Sequence, residues 1–339
     1  MRTLLIGLAF TFAGCRGPQT AACPEVPAAS SPAAAAASTA APIAPAAEAE
    51  VSDAEPTAAG PLERERHEVV ADDGHALAVW AKVPETPRGA IVLLHGRTWS
   101  GRPDFDLQVP GEARSTMDAL AAAGLATYAL DLRGYGETLR DATGWNTPDR
   151  AAKDLLAVLR WVGERHEGAP ALLGWSLGSL TSQLAAQREP GLVSALILYG
   201  YPRSPDRRYK ADRKGVEPAR AATTAKGAAS DFIIPGNISQ AGIDAFVEQA
   251  LAADPVRTDW RGTEEWNELD PGKVTVPTLV MHGAKDPYAP KANQVKLFNR
   301  LAAEDRAYVV IAGGDHAAHL EDVGPRFIDA VLGFVDARR

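Results

Sequence analysis

The stretch Leu172-Leu-Gly-Trp-Ser-Leu-Gly-Ser-Leu180 constrains the fold more than any other part of the chain. An apolar run ends in a serine held between Gly174 and Gly178, and helix-forming residues follow at once. This is the G-x-S-x-G pattern, in which a sharp strand-to-helix turn lifts a hydroxyl clear of the backbone. A serine hydroxyl is a weak nucleophile until a base and oxyanion donors sit beside it, and the glycines leave room for the crowded main chain. Ala169-Pro-Ala-Leu-Leu predicts a short buried strand before the turn, and the apolar spacing of Leu177 to Arg188 predicts a helix after it. The pattern by itself is compatible with an ordinary tight turn. The flanking strand and helix favour Ser176 as a nucleophile.

The neighbouring sequence repeats that alternation. Two alternating runs, Leu62 to Ala71 and His75 to Val83, flank Asp72-Asp73-Gly74 and predict a hairpin at a sheet edge. Continuous apolar runs at Gly89 to Gly96, Leu125 to Asp131, Val193 to Tyr199, Val276 to Gly283 and Ala307 to Ala312 predict strands buried on both faces. Helices are expected over Met117 to Ala123, Asp149 to Arg165, Pro290 to Ala302 and Pro325 to Val335. Strands alternating with helices through short connections imply an α/β fold, a mostly parallel sheet with helices on both faces. The alternation breaks at Gly200 and resumes after residue 272, with one clear helical stretch from Ser239 to Ala253 between. An insertion of that length in a regular sheet is expected to act as a lid over residues 201–272.

The N-terminal region is built differently. Met1 to Cys15 carries one positive charge and an apolar run too short to span a bilayer, the pattern of a cleaved export signal. Phe12-Ala-Gly-Cys15 resembles the lipobox of bacterial lipoproteins, which implies a signal over residues 1–14 and lipidation of Cys15. An ordinary secretory signal that happens to contain a cysteine is the alternative. Several acyl chains would hold the protein firmly on a membrane, at about 0.8 kcal/mol for each buried methylene. Residues up to 60 are almost wholly Ala, Pro, Ser, Thr and Glu, which cannot build a core and read as a tether with a reach of roughly 40 Å or more. The folded domain is expected over residues 61–339. Cys15 and Cys23 are the only cysteines, so no disulfide braces that domain. A net charge of −8 argues against nucleic acid as a partner.

The ordered motifs His95-Gly96, Asp131-Leu-Arg-Gly-Tyr-Gly-Glu, Gly174-Trp-Ser-Leu-Gly, Met281-His-Gly-Ala-Lys-Asp286 and Gly313-Gly-Asp-His316 together resemble the α/β-hydrolase superfamily, in its lidded single-domain branch. The resemblance spans residues from about 62 to 337. It implies a serine hydrolase, foremost a carboxylic-ester hydrolase working through an acyl-enzyme, with Ser176 as nucleophile, Asp286 as acid and His316 as base. Amide, peptide or thioester hydrolysis and acyl transfer would use the same residues. A tethered binding protein that keeps the fold without turnover is the reading from another class.

Asp131 and Asp315 compete for the acid's role. Asp131 reads as structural, and Asp315 stands beside the histidine, badly placed to face its ring. His319 is the rival base. The oxyanion donors would be the backbone N–H groups of Leu177 and Arg97, while the Arg97 side chain either meets an acidic substrate group or turns to solvent. His95 and His282 read as loop-fixing residues, since no Cys, His or carboxylate spacing suggests a metal site; no cofactor is implied. Six basic residues against two acidic ones from Arg203 to Lys214 form a solvated face or attract an anion. Phe232, Phe246, Trp260 and Trp266 either line an acyl pocket or form the insertion's own small core.

Overall fold

The computed structural model describes residues 62–338, so the N-terminal apolar run, Cys15, Cys23 and the Ala/Pro-rich tether lie outside the described residues. The expected hairpin is formed by β1 (Glu65–Val70) and β2 (Ala76–Lys82), paired antiparallel with Val70 opposite Ala76. There follow β3 (Gly89–Leu94), α1 (Gly101–Phe105), α2 (Thr116–Ala122), β4 (Leu125–Leu130), β5 (Trp145–Asn146) and α3 (Pro148–Gly163). Next come β6 (Ala171–Trp175), α4 (Leu177–Arg188) and β7 (Leu196–Tyr199). The insertion contributes α5 (Ala225–Ala229), α6 (Gln240–Ala253) and β8 (Asp259–Trp260). The chain closes with β9 (Thr278–Gly283), α7 (Lys291–Arg300), β10 (Arg306–Ile311) and α8 (Gly324–Asp336).

Eight strands make one sheet in the order β1-β2-β4-β3-β6-β7-β9-β10, antiparallel at β1/β2 and β2/β4 and parallel elsewhere. The chain winds outward from β3 in both directions, so the loops after the parallel strands gather along one edge, where such sheets bind ligands. Side-chain alternation divides the core: Val92 and Leu94 pack with α3 and α4, whereas Ile91 and Leu93 pack with α2 and α8. The helix α3 shows how the sequence fixes an element. Thr147 accepts a hydrogen bond from the Arg150 amide and Pro148 occupies the first turn, a cap worth about 1 kcal/mol. Leu155, Leu159 and Val162 recur on its buried face, each contributing about 1.5–3 kcal/mol by burial.

The insertion has its own hydrophobic cluster. Phe246, Ala250 and Ala228 pack with Phe232 against Trp99, Leu107, Val109 and Leu320 of the loops after β3 and β10. Four elements were not anticipated: α1, α5, β5 and β8. The five-residue α1 contains Pro103 and is too short to show a period, and β5 pairs with β8 through two residues each, far apart in sequence.

Candidate active site

Ser176 stands between β6 and α4 with φ +53° and ψ −120°, a conformation costly for any residue with a side chain. The glycines around it answer direct steric demands. A Cβ on Gly174 would lie 2.4 Å from both Gly178 O and Ser182 Oγ, and one on Gly178 would lie 2.4 Å from Leu94 O and His95 O. Gly96 abuts the turn, its Cβ position 3.1 Å from Ser176 Cβ, which brings the Arg97 amide beside the elbow. Among the described residues neither the Arg97 nor the Leu177 amide finds a protein acceptor. The Arg97 side chain is exposed.

Asp286 and His316 meet. His316 Nδ1 lies 2.8 Å from Asp286 Oδ2, and Asp286 Oδ1 accepts from the Tyr288 and Ala289 amides at 2.8 and 3.0 Å. One carboxylate thus shapes its own turn and fixes the ring. The His316 carbonyl is held by Trp175 Nε1 at 2.8 Å and by the Tyr199 hydroxyl at 2.9 Å, and the Tyr288 ring lies edge-on to the imidazole at 5.0 Å. Gly200 closes the other side with φ +59°; a Cβ there would come within 3.0 Å of His316 Cε1 and 3.4 Å of Asp286 Oδ2. The Ser176 amide donates to Tyr199 O, so nucleophile turn and histidine loop are tied to the same strand end, although no hydrogen bond joins the Ser176 hydroxyl to His316.

The competing residues are engaged elsewhere. Asp131 is fully buried and accepts from Trp80 Nε1, the Gly101 amide and the Glu137 amide; burial pushes it up to about 7 against those three donors. His319 donates through Nε2 to Asp104 O and packs among Trp175, Tyr199, Phe105 and Phe327, where burial drives it down to about 3. Asp315 points its carboxylate at amides rather than at an imidazole. His95 binds Gly96 O and accepts from the Leu132 amide, and His282 joins Gly283 O to the Tyr308 hydroxyl, so each pins neighbouring strand ends. Among the described residues no group of three or more His, Cys, Asp or Glu is placed to hold a metal ion.

Several contributors escaped the sequence reading. Trp99 Nε1 donates at 2.6 Å to Asp231 of the insertion, which burial raises to about 6 against the pull of Trp99 and His316. Asp254, also in the insertion, accepts from the amides of Ser100 and Gly136 and so holds the loop after β3. Trp175 and Tyr199 carried a usable signal, because a buried Trp N–H or Tyr O–H needs an acceptor. Of the aromatic residues singled out, Phe232 and Phe246 join the insertion's cluster, while Trp266 and Trp260 pack on the main core. In the basic run Arg203 is buried and Asp206 pairs with Lys296 and Arg300, and the other five cations are exposed.

The model of the family described as "Serine aminopeptidase, S33" matches residues 85–323. A monoacylglycerol lipase of Mycolicibacterium smegmatis is 26% identical over 272 residues, 76% of this chain and 91% of that protein. The serine hydrolase BPHL of Mus musculus is 27% identical over 220 residues, 60% of this chain and 65% of that protein. A thermophilic esterase from Thermogutta terrifontis superposes with a TM-score of 0.57 at 18% identity, covering 80% of this chain and 98% of that one, and shares its fold. With an elbow serine at the edge of a mostly parallel sheet and a family model matched over most of its length, the chain belongs to the serine aminopeptidase S33 family of α/β-hydrolases, and is a serine hydrolase.

Proposed function

We propose that the protein hydrolyses carboxylic esters with a single acyl chain, through an acyl-enzyme on Ser176. The observation that carries this reading is the 2.8 Å contact between His316 Nδ1 and Asp286 Oδ2 at the sheet edge where Ser176 stands strained on its turn. His316 Nε2 takes the Ser176 proton as Oγ bonds to the ester carbon, and the amides of Arg97 and Leu177 hold the developing oxyanion. Collapse expels the alcohol, which receives the proton from His316. Water then repeats the sequence to release the acid, with Asp286 stabilising the imidazolium in both halves. The substrate class is suggested by the relative named for monoacylglycerol hydrolysis.

Residues 201–272 serve as the lid in this reading, and Cys15 as a lipid anchor that places the enzyme at a bacterial envelope membrane, joined by the tether. Among the described residues no helix is long and apolar enough to cross a membrane. Incorporation of labelled palmitate into the whole protein but not into its Cys15→Ser variant checks the anchor.

Fluorophosphonate labelling of the full chain tests the catalytic reading. The wild type is expected to label and Ser176→Ala not to; His316→Ala should abolish turnover of p-nitrophenyl esters while His319→Ala retains it. Aminoacyl anilides run in parallel distinguish an aminopeptidase. Faster cleavage of those than of every ester would overturn the ester assignment.

A further inference from the structure

The residue beside the candidate base has an unexplained set of bonds. Asp315 is fully buried, and its carboxylate collects amides from two separate parts of the chain. Oδ2 accepts from Ile233 and Ile234 of the insertion at 2.7 and 3.0 Å, and Oδ1 accepts from Ala317 at 2.8 Å. Its own amide donates to Glu321 Oε2 at 3.1 Å, which brings that carboxyl beside the Asp315 backbone. The same stretch of the insertion is fastened again at Asn237, whose Nδ2 donates to Gly313 O and whose carbonyl accepts from the Asp322 amide. Residues 233–237 are therefore seated on the loop that carries His316, with Asp315 holding one end of the seat.

We propose that Asp315 is a positioning residue that couples seating of the insertion to presentation of His316. The inference rests on the catalytic role of His316 proposed above. Three amides converging on one carboxylate tie the insertion directly to the 313–317 backbone, which carries the imidazole. Loss of the Ile233 and Ile234 amides would leave a buried carboxylate oxygen without donors, so the open arrangement disfavours the histidine loop as it stands. Glu321 is 2% exposed and its Oε1 has no hydrogen-bond partner among the described residues, so an ionised carboxylate would lack a donor there. Burial and the adjacent Asp315 push it up to about 8. Above that pH a second negative charge faces Asp315. The other titratable groups around the pair are Tyr199 from β7, Asp231 from the insertion and His316 itself. His319, Arg114 and Asp329 border the cavity that Glu321 lines, and no cation is bonded to Glu321 among the described residues.

The test uses the full chain, its Asp315→Asn and Glu321→Gln variants, and two readouts. Hydrogen exchange of the peptide containing Ile233 and Ile234 reports the seat without reference to catalysis. The pH dependence of kcat and KM for a p-nitrophenyl ester reports its coupling to chemistry. Asp315→Asn presents an NH2 to one set of amides, so exchange of that peptide should accelerate and kcat should fall about tenfold to a hundredfold, with KM changed less. The wild type should lose rate and protection above pH 8, and Glu321→Gln, an isostere that stays neutral, should keep both. Unchanged exchange in Asp315→Asn, or an alkaline loss that survives in Glu321→Gln, would overturn the proposal. Protection that follows the prediction in a protein that turns over no ester would instead count against the ester reading and leave the seat standing.

Discussion

At Ser176 and at Gly200 the backbone enters the left-handed region for opposite reasons, and the pair shows what a single residue type decides. Ser176 carries a side chain at φ +53° because α4 and the Tyr199 carbonyl hold it there, and the outcome is a half-buried hydroxyl set on the strand-to-helix turn. Gly200 turns at φ +59°, where a Cβ would crowd the His316 imidazole at 3.0 Å and touch Asp286 Oδ2 at 3.4 Å. Gly200→Ala is therefore expected to lower stability by about 1–3 kcal/mol through the strained φ, and to push the imidazole off line. The rate should suffer more than the fold: kcat for an ester substrate is expected to fall about tenfold to a hundredfold, with fluorophosphonate labelling slowed in parallel. A variant that melts lower but turns over at the wild-type rate would show that Gly200 answers to the turn alone. The elbow glycines were legible because their pattern encodes a local clash. Gly200 was not, because the atoms it avoids come from residues 286 and 316.

Among the elements, those with a long period or a chemical boundary were readable from the chain. The helix after the elbow occupies Leu177–Arg188 as expected, and α6 starts directly after Ser239, whose hydroxyl accepts the Gly242 amide. Short pieces that exist through distant partners, α1 and the β5/β8 pair, left no local pattern. The same division separates the site: Ser176, Asp286 and His316 follow ordered motifs, whereas Asp231 and Asp254 act from an insertion whose packing no periodicity foretells. Arg133 is the clearest link between elements. Its guanidinium forks onto Asp154 of α3 at 2.7 and 2.8 Å and onto Asp73 of the β1–β2 turn at 2.8 Å, drawing Asp73 down to about 2. Arg133→Ala leaves the Asp154 carboxylate buried without its cation, and should cost about 3–5 kcal/mol in denaturant unfolding. Arg133→Lys, unable to fork onto both acids, should fall between. Neither change touches Ser176 or His316, so labelling of the folded fraction should be unaltered; a loss confined to labelling would contradict the structural role.

Across the whole molecule, the sheet order brings loops from four parallel strands to one edge, which is why widely spaced motifs could be read as one site. The same burial that builds that edge sets the pH of greatest stability. Burial raises Asp231 to about 6, Asp131 to about 7 and Glu321 to about 8, and also lifts Asp104, Asp154 and Asp254. A carboxyl whose folded pKa exceeds its unfolded value contributes stability in full below the unfolded value, near 4, and loses it as pH rises through the folded one. His95, held near 4, and His319, held near 3, act in the opposite sense: their contribution is whole above 6.5 and is lost as pH falls toward those values. Asp73, drawn down to about 2, contributes fully above 3.8 and matters only in acid. Between about pH 4 and 6.5 the carboxyls and histidines oppose each other. Above that the histidines are neutral in both states, and the native state alone retains extra protons. Each such proton lowers stability by about 1.4 kcal/mol per pH unit. The melting temperature is therefore expected to decline from pH 7 to 9, and Glu321→Gln should flatten the upper part of that decline. Calorimetry at constant ionic strength measures this directly, and a melting temperature that climbs between pH 7 and 9 would contradict the assigned protons.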